Sequence, residues 1–246
     1  MPEVSLQLEP GAVTTLVGPN GSGKSTVLNA LARLVKPDGG AVYLDGRDIA
    51  RLPTKEVARR LALLPQGLSA PGGVSVRELV GYGRYPHQGL LGTTTAEDAD
   101  AVAWAISATG TTPLADRAVD SLSGGERQRA WMAMALAQRA GVLLLDEPTT
   151  FLDIRYQVEV LGLVRRLVDE EGITVGMVLH DLNQAASVSD RMAFLSAGRM
   201  VTVGPPGEVM TTETISAVFE VEVTVLTDPA TGLPTCLPYG RPALLR

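Results

Sequence analysis

The chain has 246 residues, of which 45% are hydrophobic and 20% charged, so it is long enough to bury a substantial core within one domain. Its net charge of −6 provides no general attraction to nucleic acid or anionic lipid, and we expect no nucleic-acid partner. Cys236 is the single cysteine, which excludes an internal disulfide and a multi-cysteine metal site. No signal-peptide pattern opens the chain and the longest apolar runs are too short to span a membrane. We therefore expect a soluble, cytosolic chain that can dock to other components.

Apolar, strand-like runs alternate with helical patterns, which predicts an α/β fold with a mainly parallel sheet and helices on its faces. The N-terminal part predicts a strand in AVTTLVG (12–18), a glycine-rich loop in GPNGSGKST (18–26), a helix in STVLNALARLV (25–35), a hairpin arm in AVYLDGRDI (41–49) and a short buried strand in LALLPQ (61–66). Strand, loop and helix in this order are the context that a phosphate-binding loop requires.

Residues 67–141 are richer in Gly, Thr and Ala, and they predict helices at 95–110 and 126–139 but no strand. Strand patterns return in GVLLLDEP, GITVGMVLHD and RMAFLSAGRMVTVG, and a last short one is EVTVLTD. We therefore expect a single domain over 1–246. Its predicted parts are an α/β core with a β arm (1–66 and 142–205), an inserted helical subdomain (67–141) and a small C-terminal lobe (206–246).

A phosphate-binding pattern, G-x-x-x-x-G-K-[ST], extends from Gly18 to Ser25. In such a loop successive backbone N–H groups surround the β- and γ-phosphates, Lys24 adds a positive charge and Ser25 ligates Mg²⁺. The pattern arises by chance in about one chain in a hundred of this length. Its position between a strand and a helix argues against a purely structural loop.

Polar side chains follow three further strands. VLLLDE (142–147) places Asp146 and Glu147 after four apolar residues, at the strand end where a ligand crevice opens. Asp146 is a candidate Mg²⁺ partner and Glu147 a candidate acceptor of a proton from an attacking water. The alternative is a strand capped by solvated acids. Gln66 and His180 end two other strands, and each alone is typically an ordinary polar residue. If both lie at the same crevice, Gln66 is a candidate contact for a metal or water and His180 a candidate γ-phosphate sensor.

A second candidate anion site lies in DSLSGGERQRA (120–130), where Ser123, Gly124 and Gly125 precede a helical pattern. A helix over 126–139 would be about 20 Å long and would hold these residues far from the magnesium carboxylate of the same chain. This second site therefore binds a different anion or faces the nucleotide of a second copy. The alternative is a plain helix cap formed by the serine.

These motifs and their order resemble one family closely, the nucleotide-binding subunits of ATP-binding cassette (ABC) transporters, over nearly the whole chain. The matching segments are Walker A at 18–25, Gln66 of the Q-loop, the LSGGE signature at 122–126, Walker B with Glu147, the D-loop TTFLD ending at Asp153, and the switch His180. The resemblance implies a RecA-like P-loop NTPase core and an ATPase activity that drives transport.

The resemblance also implies roles for individual residues. Those it assigns to nucleotide binding are Gly18, Pro19, Asn20, Gly21, Ser22, Gly23, Lys24, Ser25, Thr26 and Gln66. The resemblance assigns catalysis to Glu147 as the base, to His180 as the contact of the γ-phosphate and to Lys24. It assigns binding of the Mg²⁺ cofactor to Ser25, Gln66 and Asp146. Residues assigned to the ATP of a second copy are Ser123, Gly124, Gly125 and Glu126, with Asp153 coupling the two sites.

Three segments, at 83–92, 147–161 and 178–209, resemble the importers of ferric siderophores, with heme and cobalamin importers as alternatives. For such a subunit the resemblance implies a permease of one or two subunits as partner and a substrate-binding protein as indirect partner. It also implies a peripheral position at the cytoplasmic face of the membrane.

In relatives, the surface beside the Q-loop receives a short permease helix, so residues around 67–88 are the predicted coupling groove. Tyr82, Tyr85 and His87 lie in this range. Ordinary packing and a direct docking role are both left open for these three side chains.

The sequence departs from the family pattern at two places. Glu126 stands where many relatives carry glutamine, and because an acid is favourable at a helix N-terminus we expect little effect. No Phe, Tyr or Trp precedes Gly18 to stack on adenine, so either the start was placed late or the base is bound weakly. We expect poor discrimination between ATP and GTP in a competition assay; a strong ATP preference would contradict this.

Three other functions fit the sequence less well. A soluble ABC ATPase acting on nucleic acid usually has a coiled-coil insertion or two cassettes in one chain, and this sequence has neither. A nucleotide-gated binding module without turnover disagrees with the presence of Glu147 and His180. An exporter commonly carries membrane spans in the same chain, and the apolar runs of this sequence are too short for one.

Overall fold

The computed structural model describes residues 4–67, 72–89, 93–150 and 152–239. The parts of the predicted ranges at 1–3, 68–71, 90–92, 151 and 240–246 lie outside the described residues. The strands are β1 (Val13–Val17), β2 (Tyr43–Leu44), β3 (Arg47–Asp48), β4 (Leu61–Leu64), β5 (Val142–Asp146), β6 (Thr174–Val178), β7 (Arg191–Ser196), β8 (Arg199–Gly204), β9 (Val223–Thr227) and β10 (Pro234–Pro238). The helices are α1 (Lys24–Leu31), α2 (Thr54–Arg60), α3 (Val76–Tyr82), α4 (Ala96–Ala108), α5 (Gly124–Ala137), α6 (Ile154–Glu171), α7 (Leu182–Val188), α8 (Pro206–Val209) and α9 (Thr212–Phe219).

Six strands form the central sheet in the order β4-β5-β6-β1-β7-β8. All neighbours in it are parallel except β7 and β8, which pair as an antiparallel edge. All five residues of both β1 and β6 are buried, as expected for strands covered on both faces. The predicted fold class, an α/β core with a mainly parallel sheet, is confirmed. Because β4, β5, β6 and β1 run in the same direction, their carboxyl ends meet at one edge.

The predicted hairpin arm is the antiparallel pair β2 and β3. Asp45 and Gly46 connect them with φ values of 51° and 74°, the left-handed pair that a two-residue hairpin turn requires. Leu44 and Ile49 pack with Leu16 and Leu28 in a hydrophobic cluster on one side of the sheet. The arm is thereby held against the strand and helix that flank the phosphate loop.

Helix α1 ends earlier than its apolar pattern predicts. The pattern continues to residue 35, but the helix stops at Leu31 and the side chain of Leu34 is 66% exposed. Arg33 adopts a left-handed conformation (φ 61°) and its guanidinium donates to the backbone oxygen of Leu52 at 2.7 Å. This tertiary bond at the helix end is not visible in a local periodicity, so the predicted extension to 35 is wrong.

The described residues between 72 and 141 contain three α-helices, two short 3₁₀ turns and no strand. The predicted helices correspond to α4 and α5, whereas α3 was not predicted because it is short and contains a glycine. Its sequence signal is the capping box of Ser75 and Glu78, in which each residue hydrogen-bonds the backbone N–H of the other. The boundaries of the helical subdomain remain predictions.

A close backbone approach between α3 and α5 makes Gly83 a sensitive position. An added Cβ at Gly83 would lie 2.1 Å from the carbonyl oxygen of Met134, so Gly83→Ala must push the two helices apart. We expect the variant to lose about 1–3 kcal/mol of unfolding free energy in urea denaturation. The matched control is Gly81→Ala, where no atom lies within 4 Å of the added Cβ and a gain of about 0.5–1 kcal/mol is expected. Equal midpoints for both variants would contradict the prediction.

The C-terminal part contains α8, α9 and the antiparallel hairpin of β9 and β10. The strand predicted in EVTVLTD is β9; its partner was not predicted because prolines bound it. Asn183 of α7 joins this hairpin to the core, since its amide donates to the backbone oxygen of Cys236 (3.2 Å) and accepts from the backbone N–H of Cys236 (2.7 Å). The hairpin is therefore fixed to the helix that follows the strand end carrying His180.

Across the described ranges, no helix combines the length and the apolar character needed to traverse a bilayer.

Candidate functional site

The loop between β1 and α1 has the backbone of an anion site. Gly18, Gly21 and Gly23 have φ values of 152°, 77° and 101°, which favour glycine because other side chains would be strained there. Gly23 is the N-cap of α1 and no side chain caps the helix. The first N–H groups of α1 are therefore left for a ligand, as the phosphate-loop pattern predicts.

Lys24 is folded over this loop and is almost completely buried, with 5% exposure. Its ammonium group donates to the carbonyl oxygens of Gly18 (2.8 Å) and Pro19 (3.0 Å). Burial lowers the pKa of Lys24, and the nearby carboxylates of Glu147 and Asp146 oppose this shift. A positive charge is thus held beside the loop amides, where a phosphate oxygen can exchange with the two carbonyls.

Ser25 and Asp146 bring a hydroxyl and a carboxylate together from α1 and β5. The hydroxyl of Ser25 donates to Oδ1 of Asp146 at 3.0 Å. The described residues contain no cluster of three or more His, Cys, Asp or Glu side chains that could hold a metal by themselves. One hydroxyl and one carboxylate suit Mg²⁺, which commonly takes its remaining ligands from phosphates and water.

Glu147 is the centre of the polar cluster at the sheet edge. Its Oε2 accepts from the Gln66 amide (2.7 Å) and the Thr150 hydroxyl (3.0 Å), and its Oε1 lies 2.5 Å from His180 Nε2. The side chain of Glu147 is 12% exposed and that of His180 44%. The ends of β4, β5 and β6 thus converge as the strand pattern predicts. Gln66, which the sequence groups with the metal residues, contacts Glu147 instead.

Sequence reasoning missed Thr150. It follows Glu147 by three residues in DEPTT, and its backbone N–H donates to the Glu147 carbonyl at 3.3 Å. Glu147 itself has a left-handed backbone (φ 53°), which turns the chain back so that the hydroxyl reaches the carboxylate. The only local signal is a threonine in a turn after a strand, which is too common to be specific.

The LSGGE segment forms the N-terminus of α5. Ser123 is the N-cap, and its backbone N–H and hydroxyl both donate to Oε2 of Glu126 at 2.9 Å. These bonds lower the pKa of the Glu126 carboxyl. Ser123 and Gly124 are exposed, whereas Gly125 is buried against the ring of Tyr156. The helix cap considered from the sequence is therefore present, while contact with a second copy stays a prediction; α5 has 14 residues and is about 21 Å long.

Removal of the Asp146 charge is expected to stabilise the nucleotide-free protein. Burial raises the pKa of Asp146 above its ordinary value of 3.8, and the Ser25 hydrogen bond only partly opposes this. Because the pKa of Asp146 is higher in the folded than in the unfolded state, its protonated carboxyl stabilises the fold below the unfolded-state pKa. This stabilisation is lost as the pH rises through the folded-state pKa. At pH 7 the ionised carboxylate thus costs stability, so we expect Asp146→Asn to raise Tm.

Thermal unfolding of Asp146→Asn over a pH series checks this. The gain should shrink as the pH falls through the raised pKa of Asp146, because the carboxyl of the parent then takes up its proton. Asp100→Asn, at an exposed position of α4, is the control and should leave Tm unchanged. A lower Tm for Asp146→Asn at pH 7 would show that the ionised carboxylate stabilises the empty site.

A comparison with known protein families identifies the chain: the ABC transporter family matches residues 1–150, more than half of its length. The chain belongs to the ABC transporter family. This ABC protein is 51% identical over 239 residues to the probable siderophore transport system ATP-binding protein YusV of Bacillus subtilis (strain 168), covering 97% of this chain and 87% of that protein. It is 46% identical over 237 residues to the iron(3+)-hydroxamate import ATP-binding protein FhuC of the same organism, covering 96% and 88%.

Solved structures agree with this assignment. The ABC protein is similar to an inward-facing putative metal-chelate type ABC transporter, with a TM-score of 0.83 and 28% identity over 96% of this chain and 89% of that one. It is also similar to the dimeric structure of MJ0796, a bacterial ABC transporter cassette, with a TM-score of 0.72 and 28% identity over 82% of this chain and 88% of that one. The predicted family, the P-loop NTPase fold and the class of ATPase are confirmed.

Proposed function

We propose that the ABC protein binds and hydrolyses ATP as a dimer and thereby powers an importer of ferric siderophores. The observation that carries the hydrolytic part is the position of the Glu147 carboxylate, held by Gln66 and Thr150 beside His180 at the same sheet edge as Lys24. The cargo rests on similarity to the siderophore and iron(3+)-hydroxamate proteins. Heme and cobalamin importers remain the alternative, since a cobalamin import protein is 44% identical over 236 residues.

In this proposal the phosphate loop and Lys24 bind the triphosphate. The amides at the N-terminus of α1 donate to phosphate oxygens, and the Lys24 ammonium exchanges its two carbonyl acceptors for them. Ser25 and Asp146 are the residues that would hold Mg²⁺. Gln66, whose amide donates to Glu147, would contact the ion through a water molecule. When bound, Mg²⁺ neutralises charge that develops on the phosphates.

Glu147 is the proposed acceptor of the proton from the attacking water. As the water oxygen bonds to the γ-phosphorus and the bond to the ADP oxygen breaks, the proton passes to the Glu147 carboxylate. Thr150 and Gln66 both donate to Oε2, which fixes the orientation of the carboxylate. His180, whose Nε2 is next to Oε1, is the proposed contact of the γ-phosphate. Positioning of these groups supplies most of the catalysis.

A second copy completes each ATP site in this proposal. Ser123 and Gly124 are exposed at the N-terminus of α5, and the exposed Asp153 caps the neighbouring α6. The exposed N-terminus of α5 presents backbone N–H groups that suit the γ-phosphate of the nucleotide bound by the second copy. The similarity to a cassette solved as a dimer supports the same arrangement.

The permease is the proposed partner at residues 67–88, of which 68–71 lie outside the described residues. Tyr82 and Tyr85 stack with their ring centroids 5.4 Å apart and are 37% and 60% exposed, which favours docking over packing. His87 instead contacts the carbonyl oxygen of Gln138 at 2.8 Å, which favours packing. Docking of a permease would place the ABC protein at the cytoplasmic face of the membrane, with a substrate-binding protein as an indirect partner.

Copurification and uptake test the proposal together. The full chain, purified from its own cells in mild detergent, should bring with it a permease and hydrolyse ATP. Deletion of its gene should abolish uptake of iron supplied as a hydroxamate siderophore, and restored uptake should require Glu147. Normal siderophore uptake with loss of cobalamin or heme uptake would move the cargo to the alternative. Copurification of nucleic acid without a permease would contradict transport altogether.

A further inference from the structure

The carboxylate of Glu147 is held from two sides by groups on different segments of the chain. On one side the hydroxyl of Thr150, in the loop that leads to α6, donates to Oε2 at 3.0 Å. On the other side Nε2 of His180, which follows β6, lies 2.5 Å from Oε1. Neither Thr150 nor His180 belongs to a helix or a strand. Their positions therefore depend on what holds the two segments around them.

Gln157 of α6 holds the loop that carries Thr150. Its Nε2 donates to the carbonyl oxygen of Leu152 at 3.0 Å and, more weakly, to that of Thr149 at 3.5 Å. These two carbonyls flank Thr150 in the chain. Because both acceptors are carbonyls, the amide nitrogen of Gln157 must face the loop, and its amide oxygen is left for another donor.

Gln184 of α7 supplies that donor. Its Nε2 donates to Oε1 of Gln157 at 2.7 Å, and both side chains are half-buried. The backbone N–H of Gln184 donates to Oδ1 of Asp181 at 2.9 Å. Asp181 is the N-cap of α7 and directly follows His180. Gln184 is thus bound to the His180 segment through its backbone and to α6 through its side chain.

The fold of α7 does not depend on this amide contact. Asn183, the neighbour of Gln184, binds the backbone N–H and carbonyl of Cys236 in β10. Ala185, Ala186 and Val188 bury the apolar side of the helix. Loss of the bond between the two glutamines should therefore leave α7 folded and change only how the two flanks of Glu147 are held relative to each other.

We propose that Gln157 and Gln184 are positioning residues for ATP hydrolysis. Together they hold the Thr150 loop and the His180 segment at a fixed separation and so orient the Glu147 carboxylate. The proposal rests on the proposed function, in which Glu147 accepts the proton of the attacking water. A small misplacement of a reacting group lowers the rate strongly. ATP binding is assigned to the phosphate loop and Lys24, so loss of the pair should lower kcat more than it changes KM.

ATP hydrolysis by the full chain over a range of MgATP concentrations tests the pair. Gln184→Met keeps the length of the side chain but removes its N–H donor. We expect kcat to fall by about tenfold or more while KM stays within about twofold of the parent value. Gln157→Met should act in the same way. The double variant should be no slower than the slower single variant, because both substitutions break one chain of hydrogen bonds. Gln184→Lys keeps an N–H donor for Gln157 and should recover most of the rate.

Gln138→Met is the matched control. The Gln138 amide also donates to two backbone carbonyls, those of Leu61 at 2.8 Å and of Ala58. Leu61 begins β4, so these bonds lie at the sheet edge opposite to Glu147. The control should lower Tm, which thermal unfolding of all variants measures, and should keep the kcat and KM of the parent.

A parent kcat in both Gln157→Met and Gln184→Met, with or without a lower Tm, overturns the inference and leaves the proposed function intact. A raised KM with an unchanged kcat also overturns it, because the pair would then act on ATP binding. An equal loss of kcat in Gln138→Met, or no recovery in Gln184→Lys, assigns the pair a general structural role instead. A parent that does not hydrolyse ATP overturns both proposals.

Discussion

Glu147→Gln is expected to lower the rate of ATP hydrolysis by about 10²- to 10⁴-fold, the range for loss of a general base, while ATP binding is retained. The amide cannot accept the proton of the attacking water. It keeps an oxygen for the Thr150 hydroxyl and the Gln66 amide, which lie 3.0 and 2.7 Å from Oε2. Because the substitution also removes a negative charge near the phosphates, the ATP-bound dimer should persist.

Phosphate release and light scattering in excess MgATP measure the two effects. Glu170→Gln, at an exposed position of α6, is the control for a lost acidic charge and should hydrolyse ATP at the parent rate. A Glu147→Gln protein that remains monomeric in saturating ATP and turns over normally would show that the assigned mechanism is wrong.

Gly18→Ala is expected to abolish ATP binding at concentrations that saturate the parent. An added Cβ at Gly18 would lie 2.1 Å from the carbonyl oxygen of Leu195 in β7, and the φ of 152° disfavours any L side chain. The carbonyl belongs to a buried strand of the sheet, so it cannot move away at low cost. The start of the phosphate loop must move instead, which misplaces the carbonyl that holds Lys24 and costs about 1–3 kcal/mol of stability.

Gly21→Ala separates collision from backbone strain in the same loop. Gly21 also has a positive φ of 77°, but no atom lies within 4 Å of an added Cβ. We expect a smaller loss of stability, about 1–2 kcal/mol from the left-handed backbone alone. Isothermal titration with ATP and urea denaturation compare the two variants. An ATP affinity equal to that of the parent in Gly18→Ala would contradict the prediction, because it would show that β7 moves to make room for the added methyl group.

Much of the site could be predicted because its signals are local. The glycines, Lys24 and Ser25 lie within nine residues (18–26), and their loop geometry depends mainly on which positions lack a Cβ. Gln66, Glu147 and His180 each follow an apolar run, and parallel strands bring such ends to one edge. The convergence of these three residues was therefore predicted, although their roles stay predictions.

Two of the errors in the predicted elements have the same physical cause, and a third has a different one. Helix α1 ends early because Arg33 bonds the carbonyl of Leu52, and β10 exists because it pairs with β9 and with Asn183. Helix α6 was not predicted, although Asp153 caps its start and Gly172, with φ 67°, ends it. In each case apart from α6 the deciding contact joins residues far apart in the chain; for α6 the caps were present as signals and were not used.

Spacing and side-chain type act over a few residues, so they were enough to predict a phosphate loop between a strand and a helix. They also predicted that acidic, amide and imidazole groups end the neighbouring strands. Which of those groups touch depends on how the whole chain folds. The order β4-β5-β6-β1 brings Glu147 to Gln66 and His180, and packing of Tyr156 on Gly125 joins α6 to the signature helix. These contacts depend on burial and strand pairing across the whole chain, which a local pattern does not encode.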